Sequence, residues 1–265
     1  MLSRKVWIGG MNTYIGNNIL HVVYIMGEIG FSTGCLYRSN ISFDEGIKLY
    51  NELWATIIEL SWATPNELFA YSLSEQTKKE LQKFTRVSIH APWKEVRYQD
   101  SRETKNIIEK LRSLSKEIPI EGIVLHPDTI DDFEILEQSG LPFLIENMDR
   151  RKSYGTHPEH FRILKEKYTF GFVLDIQHAY EHDPSMQLAK ELIEIMGDRL
   201  QHMHISGHTT SEIHVPTHYA ENKEAITEIL KIGITVPKIL EWILLENISD
   251  TINNELEYIK KYEKK

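Results

Sequence analysis

One pattern constrains the fold of this chain more than any other. A short apolar, β-type run, a loop and a helix-period segment recur at a spacing of roughly thirty residues. That is the βα unit of a parallel sheet. The spacing predicts strands at Glu28–Thr33, Thr56–Leu60, Arg86–His90, Gly122–His126, Pro142–Glu146, Phe170–Asp175, Leu200–Ile205 and Val236–Glu241. Most of these runs are apolar without alternation, as strands covered on both faces should be. Between them, Ser42 and Glu45 form a capping box ahead of a stripe of Phe43, Ile47, Tyr50 and Trp54. Ile107, Ile108, Leu111 and Leu114 form a second stripe. Ile226, Ile229 and Leu230 lead to a stop at Gly233, and Ile252, Leu256 and Ile259 mark a last helix. Eight strands alternating with helices predict an α/β fold, a single (β/α)8 TIM barrel with a closed parallel sheet. No glycine-rich phosphate loop follows any strand, which argues against a dinucleotide-binding or P-loop protein.

The chain's 265 residues suit one such domain. Residues 1–25 do not fit the repeat. They read either as a hairpin or loop closing the barrel bottom or as an extension outside it. The extension is preferred, with the barrel domain running from Met26 to residue 265. No apolar segment is long enough for a membrane span, and the Ile19–Met26 stretch lacks the flanks of a signal peptide. The single cysteine, Cys35, excludes an internal disulfide framework. Together these features predict a cytoplasmic protein. A formal charge of −9 gives no general basic footprint for nucleic acid, although bound cations and local basic loops can reverse the field at one face.

The chemistry lies where the strands end. The third strand ends in Ser88-Ile89-His90-Ala91-Pro92 and the fourth in Leu125-His126-Pro127-Asp128. The fifth ends in Ile145-Glu146-Asn147, and the sixth in Leu174-Asp175-Ile176-Gln177-His178. The seventh carries His204, Ser206 and His208, its following loop carries Glu212-Ile213-His214, and the eighth ends in Leu240-Glu241-Trp242. In a parallel barrel these ends meet around one mouth. Any one strand-end histidine is more often a satisfied hydrogen-bonding residue than a ligand. Six consecutive strands with the same habit point instead to cations among the side chains, because buried ionisable groups are costly unless paired or coordinated.

In their order and strand-by-strand placement, these motifs resemble the xylose isomerase-like TIM barrels, and most closely their endonuclease IV branch (AP endonuclease family 2). The resemblance runs from about Glu28 to Trp242. It implies up to three divalent ions. His90, His126 and Glu146 would hold the first. Glu146 would bridge to a second, held by Asp175, His204 and Glu241. His178, Glu212 and His214 would hold a third. The family usually has aspartate where Glu212 stands, and His208 and His218 are alternative ligands in that loop. Imidazole-rich donors suit zinc first, with manganese or iron as alternatives. Three such ions against four carboxylates would leave a net charge of about +2, attractive to phosphate. Glu146, Asp175 and Glu241 are the candidate catalytic residues.

Two activities and one binding role follow. The first is metal-assisted phosphoester hydrolysis on a phosphate-containing substrate such as DNA with an abasic site. The acidic balance and short loops after the second and third strands give that no help. The second is isomerisation or epimerisation of a sugar or small sugar phosphate, for which the one-ion set Glu146, Asp175, His204 and Glu241 suffices. The third, a non-catalytic metal-binding scaffold, leaves the open mouth unexplained. Around that mouth Arg150, Arg151, Lys152, Lys94 and Arg97 are candidate phosphate contacts. Trp93, Trp242 and Trp62 could stack on a sugar or base, or simply pack loops together; Tyr180 and Tyr219 pose the same choice.

Overall fold

A computed structural model describes the chain except residues 1–4, 9–10, 17–18, 24–27, 54, 244–247 and 264–265. Three short strands come first, β1 (Lys5–Ile8), β2 (Met11–Gly16) and β3 (Ile19–Val23), paired antiparallel in sequence order. The expected barrel start at Met26 and the stripe residue Trp54 lie outside the described residues.

Eight parallel strands then close on themselves. They are β4 (Ile29–Ser32), β5 (Ile57–Ser61), β6 (Arg86–His90), β7 (Ile120–Leu125), β8 (Phe143–Glu146), β9 (Gly171–Asp175), β10 (Leu200–Ile205) and, after a small hairpin of β11 (Gly207–His208) and β12 (Ile213–Val215), β13 (Lys238–Leu240). β13 pairs with both β10 and β4, which seals the barrel. The helices between them are α1 (Phe43–Glu52), α2 (Pro65–Ala70), α3 (Glu75–Leu81), α4 (Arg102–Glu117), α5 (Phe133–Ser139), α6 (Pro158–Lys167), α7 (Ile176–His182), α8 (Gln187–Met196), α9 (Lys223–Ile232) and α10 (Ile248–Glu263). The expected TIM barrel is therefore the observed fold. None of the described helices is long and apolar enough to cross a membrane.

Local chemistry explains the boundaries. The Ser42–Glu45 capping box opens α1 as expected, and α4 buries Ile107, Ile108, Leu111 and Leu114 against the sheet. The last barrel strand is shorter than the apolar run suggested. Val236 donates its N–H to Gly233 O in a turn, and Pro237 has no N–H to give to a ladder. Glycine is required at position 30: a Cβ there would lie 1.7 Å from Ile57 O on the neighbouring strand.

The core has two parts. Most of it fills the space between sheet and helices. Inside the barrel the apolar filling is small, with Val124, Leu144 and Val173 forming their own cluster. Side chains two residues further along these strands share the same face. The apolar plug is thus followed, toward the C-terminal ends, by Glu146 above Leu144 and Asp175 above Val173.

Trp242 belongs to the outer core. It is 1% exposed, and its ring meets Phe31 edge-on at 6.2 Å, with Phe31 stacked on Tyr50 at 4.8 Å. Substitution Trp242→Ala should therefore cost about 3–5 kcal/mol of stability, read from denaturant midpoints. A change below about 1 kcal/mol would mean the indole is not part of the core.

Candidate metal centre

Strand register brings the donor atoms together. His90 ends β6, Glu146 ends β8, Asp175 ends β9, His204 lies one residue from the end of β10, and Glu241 directly follows β13. All but Glu241 are almost fully buried. Asn147 fixes one part of this geometry. Its amide donates to Asp175 O at 2.9 Å and its carbonyl accepts from Asp175 N at 2.7 Å, which clamps the ends of β8 and β9. Asp175 then caps α7 by accepting from His178 N at 2.7 Å, so the helix start sets the position of the His178 ring.

Two donor sets share one carboxylate. His90, His126 and Glu146 form one set; Glu146, Asp175, His204 and Glu241 form another; within each, the donor atoms lie within 4.8 Å of one another. Nε2 of His90 and Nε2 of His126 both stand 3.3 Å from Glu146 Oε2. His204 Nδ1 is 3.3 Å from Glu146 Oε1 and 2.9 Å from Glu241 Oε2.

The histidines also show how their rings are held. A carbonyl only accepts, so His90 Nδ1–H donates to Ala91 O at 3.1 Å and His178 Nδ1–H to Asn147 O at 2.9 Å. When such a ring is neutral, its lone pair is therefore on Nε2. One nitrogen tied to the protein and the other free is the arrangement of a metal-ligating imidazole. Glu146 Oε2 and Asp175 Oδ2 are buried without a hydrogen-bond partner. Buried anionic oxygens left in this state fit a cation, so the donor set and its orphaned atoms suit divalent ions.

The electrostatics agree. Burial pushes the Glu146 carboxyl up, but the His204 and His126 imidazoles outweigh it and hold the group well below the ordinary carboxylate range. Burial pushes His90 down, yet its bond to Glu146 and the surrounding carboxylates carry it up to about 9. His126 shows the opposite balance, with burial winning and the ring held below its usual value. Asp175 is raised, first by burial and then by Glu146 and Glu241 nearby. In the ion-free chain Glu146 thus stays charged beside a protonated His90, while burial favours the neutral forms of His126 and Asp175.

The expected third set is only partly assembled. The His178 and His214 rings lie 5.7 Å apart, with His214 Nδ1 3.0 Å from Ser206 Oγ. Glu212 is exposed in the turn of the hairpin, just before β12, and belongs to none of the donor groups found among the described residues. The hairpin turns its backbone so that His214, at φ 55°, faces inward while Glu212 faces out. His218 is committed elsewhere: Nδ1 is 2.8 Å from Glu255 Oε2 of α10, and the same carboxylate accepts from Thr217 N and His218 N. The His208 ring lies against Tyr180, 5.8 Å away.

Around the mouth, the aromatic candidates separate. Trp93 is half-buried and lies 4.6 Å from the His90 ring and 5.7 Å from the His126 ring, over the first donor set. Trp242 is corrected from substrate contact to core, since no face of its ring is open. Trp62 is likewise buried between Phe43 and Tyr71. Several basic candidates are tied to acids: Arg151 to Asp149, Lys152 to Asp128, and Arg97 to Asp131. Arg150 and Lys94 stand outside these pairs, both exposed, with Lys94 Nζ 5.9 Å from the Trp93 ring.

Two residues escaped the sequence analysis. Glu59, mid-strand in β5, is fully buried, with its carboxylate 3.1 Å from His204 Nε2 and 3.3 Å from His202 Nε2. The signal was present, since a carboxylate inside the apolar run Ile57–Ser61 demands a partner. His202 precedes His204 by two residues and therefore shares its face.

Comparison with known proteins places the fold. Endonuclease IV from Thermus thermophilus is similar in structure, with a TM-score of 0.65 at 14% identity, covering 89% of this chain and 98% of its own. A D-tagatose 3-epimerase-like protein gives a TM-score of 0.61 at 18% identity, covering 89% and 96%. An AP endonuclease, family 2, from Brucella melitensis gives 0.63 at 15% identity, covering 88% and 99%. At such identities the likeness is one of fold. No curated protein matches the sequence significantly. The profile of one family, described as xylose isomerase-like TIM barrel, matches residues 128–262, just over half of the chain and the part that carries Glu146, Asp175, His204 and Glu241. The chain belongs to the xylose isomerase-like TIM barrel family.

Proposed function

We propose that this protein is a divalent-metal-dependent phosphoesterase with two ions at the barrel mouth, zinc the first choice, acting on an abasic site in DNA. The observation that carries this is the sharing of Glu146 between two donor sets. An isomerase working through one ion has no need of His90 and His126. Ions held by both sets would suit the displacement at a phosphoester. When bound they supply charge neutralisation and lower the pKa of water.

The chain's own residues do the rest. Glu146 sets the spacing between the two donor sets. Asp175, whose Oδ2 is buried and unpartnered, is placed to accept a proton from an attacking water. Trp93 forms an aromatic wall beside the first set, suited to a sugar or base. Arg150 is the exposed cation next to β8, available to a flanking phosphate. The barrel domain is taken to begin near residue 26, outside the antiparallel strands, and the buried thiol of Cys35 is compatible with the cytoplasm.

The second reading is a sugar or sugar-phosphate epimerase. It is favoured by the self-sufficient quartet of Glu146, Asp175, His204 and Glu241, and by the epimerase-like structural neighbour. Metal analysis of the purified chain separates the two. The phosphoesterase predicts two ions per chain and cleavage of an oligonucleotide at a single abasic site. One ion per chain, no cleavage with zinc or manganese loaded, and solvent hydrogen exchange into a ketose would move the assignment to the epimerase.

A further inference from the structure

His204 lies between two carboxylate groups on opposite sides of its ring. Nδ1 faces the mouth, 2.9 Å from Glu241 and 3.3 Å from Glu146. Nε2 faces across the barrel to Glu59, 3.1 Å from Oε1 and 3.4 Å from Oε2. Both His204 and Glu59 are 0% exposed, so water does not compete for either contact. A neutral imidazole carries one N–H, and which nitrogen holds it decides which can ligate an ion.

We propose that Glu59 is a positioning residue. Its carboxylate accepts Nε2–H of His204, fixing the tautomer in which the Nδ1 lone pair points at Glu146 and Glu241. The proposal rests on the metal-centre reading of the mouth. The strands involved make the arrangement specific. β5 and β10 are not neighbours in the barrel, so the Glu59 side chain spans the interior to reach the ring. Ser88 on β6, donating to Glu59 Oε2 at 3.0 Å, steadies the carboxylate from the adjacent strand. His90 is oriented by the backbone carbonyl of the next residue, Ala91, and His178 by that of Asn147 at the end of the neighbouring strand β8. His204 has no such carbonyl, and the buried carboxylate stands in its place. A carboxylate acceptor behind a ligating imidazole also raises the basicity of the nitrogen facing the ion.

The test uses the full chain loaded with Zn2+ alone. Zinc affinity and stoichiometry come from competition with a chromophoric chelator, and the His204 tautomer from the 15N shifts of its ring. Wild type should show Nε2–H. Glu59→Gln, which keeps the shape but can also donate to the ring, should mix the tautomers and weaken one zinc by about 10–100-fold, leaving the other within a few-fold. If the Gln variant does not fold, Glu59→Asp, one methylene too short to reach the ring, should give the same loss. His202→Gln should leave the tautomer unchanged. Unaltered zinc affinity and a single Nε2–H signal in Glu59→Gln would overturn the proposal. So would the loss of one whole equivalent of zinc in both Glu59→Gln and His202→Gln, because Glu59, His202 and His204 would then hold an ion themselves. A wild-type chain that binds no zinc would defeat the metal-centre reading alone. The ring tautomer of the ion-free chain at alkaline pH would still decide the role of Glu59.

Discussion

Glu146→Gln is expected to lose both ions at once and keep its fold. Second-sphere substitutions around metal sites typically weaken binding by about 10–100-fold, so removing a ligand common to both sets should cost more than ~100-fold at each. Activity should fall with occupancy. Substitution of His90 by Gln gives the contrast, since it should release one ion and spare the quartet of Glu146, Asp175, His204 and Glu241. The fold survives because the amide has the same shape and the imidazoles around it can shed their protons. In the ion-free chain Glu146 faces His90, His126, His178 and His204 at 3.3–3.4 Å. Breaking a buried ion pair generally costs about 3–5 kcal/mol, and neutralisation of His90, charged largely because of Glu146, should keep the loss below that. Metal content by elemental analysis and thermal unfolding in chelator check the two halves. A Glu146→Gln chain that still carries two ions would mean the carboxylate does not join them.

What could be read from residues and what could not divides along physical lines. The barrel was legible because each parallel strand must be apolar on both faces and each helix on one, and both requirements write a period into the sequence. The strand-end donors were legible for a related reason: His90, Glu146 and Asp175 interrupt the apolar runs at the place where the strands converge. Glu59 interrupts its run in the middle of β5, a residue type and position that the same logic should have flagged. Its mid-strand position sets it apart from the donors that converge at the strand ends. For Trp242 the choice between substrate and core stayed open because adjacency to Glu241 does not fix a direction. The residues point to opposite sides of the chain, one toward the mouth and one into the layer with Phe31. The third donor set depends on what no local pattern encodes. His214 is placed by the β11–β12 hairpin, and the turn after it is held by Glu255, far along the chain on α10. The i, i+2 spacing of Glu212 and His214 suggested one face, but the positive φ at His214 breaks the strand alternation.

Ion affinity should rise steeply with pH, and the sign follows from the ion-free charges. Burial opposes the charge on His90, but its bond to Glu146 and the nearby carboxylates prevail, and the ring titrates near 9 there. At pH 7 the ring is an imidazolium, and an ion taken up by His90, His126 and Glu146 must displace that proton. Affinity for that ion should therefore increase about 10-fold per pH unit, roughly 100-fold from pH 7 to 9, and level off above. Calorimetry in buffers of different ionisation enthalpy should show about one proton released for this ion at pH 7. Against the pull of burial, Glu59, Glu241 and Glu146 raise His204 well above its usual value, so the second ion should release a proton too. The same protons govern the ion-free fold. A histidine whose folded pKa is raised adds stability that is complete below its ordinary value of 6.5 and is lost as pH climbs through about 9. Glu146, held low, adds stability that is complete above its ordinary 4.5 and fades as pH falls below it. The ion-free chain should be most stable between these limits and weaken toward pH 9, where the loaded chain binds its ions most tightly. The gap in Tm between the two forms should thus widen with pH. A gap that stays constant from pH 7 to 9, with flat affinity, would show that no proton leaves the cluster when the ion enters.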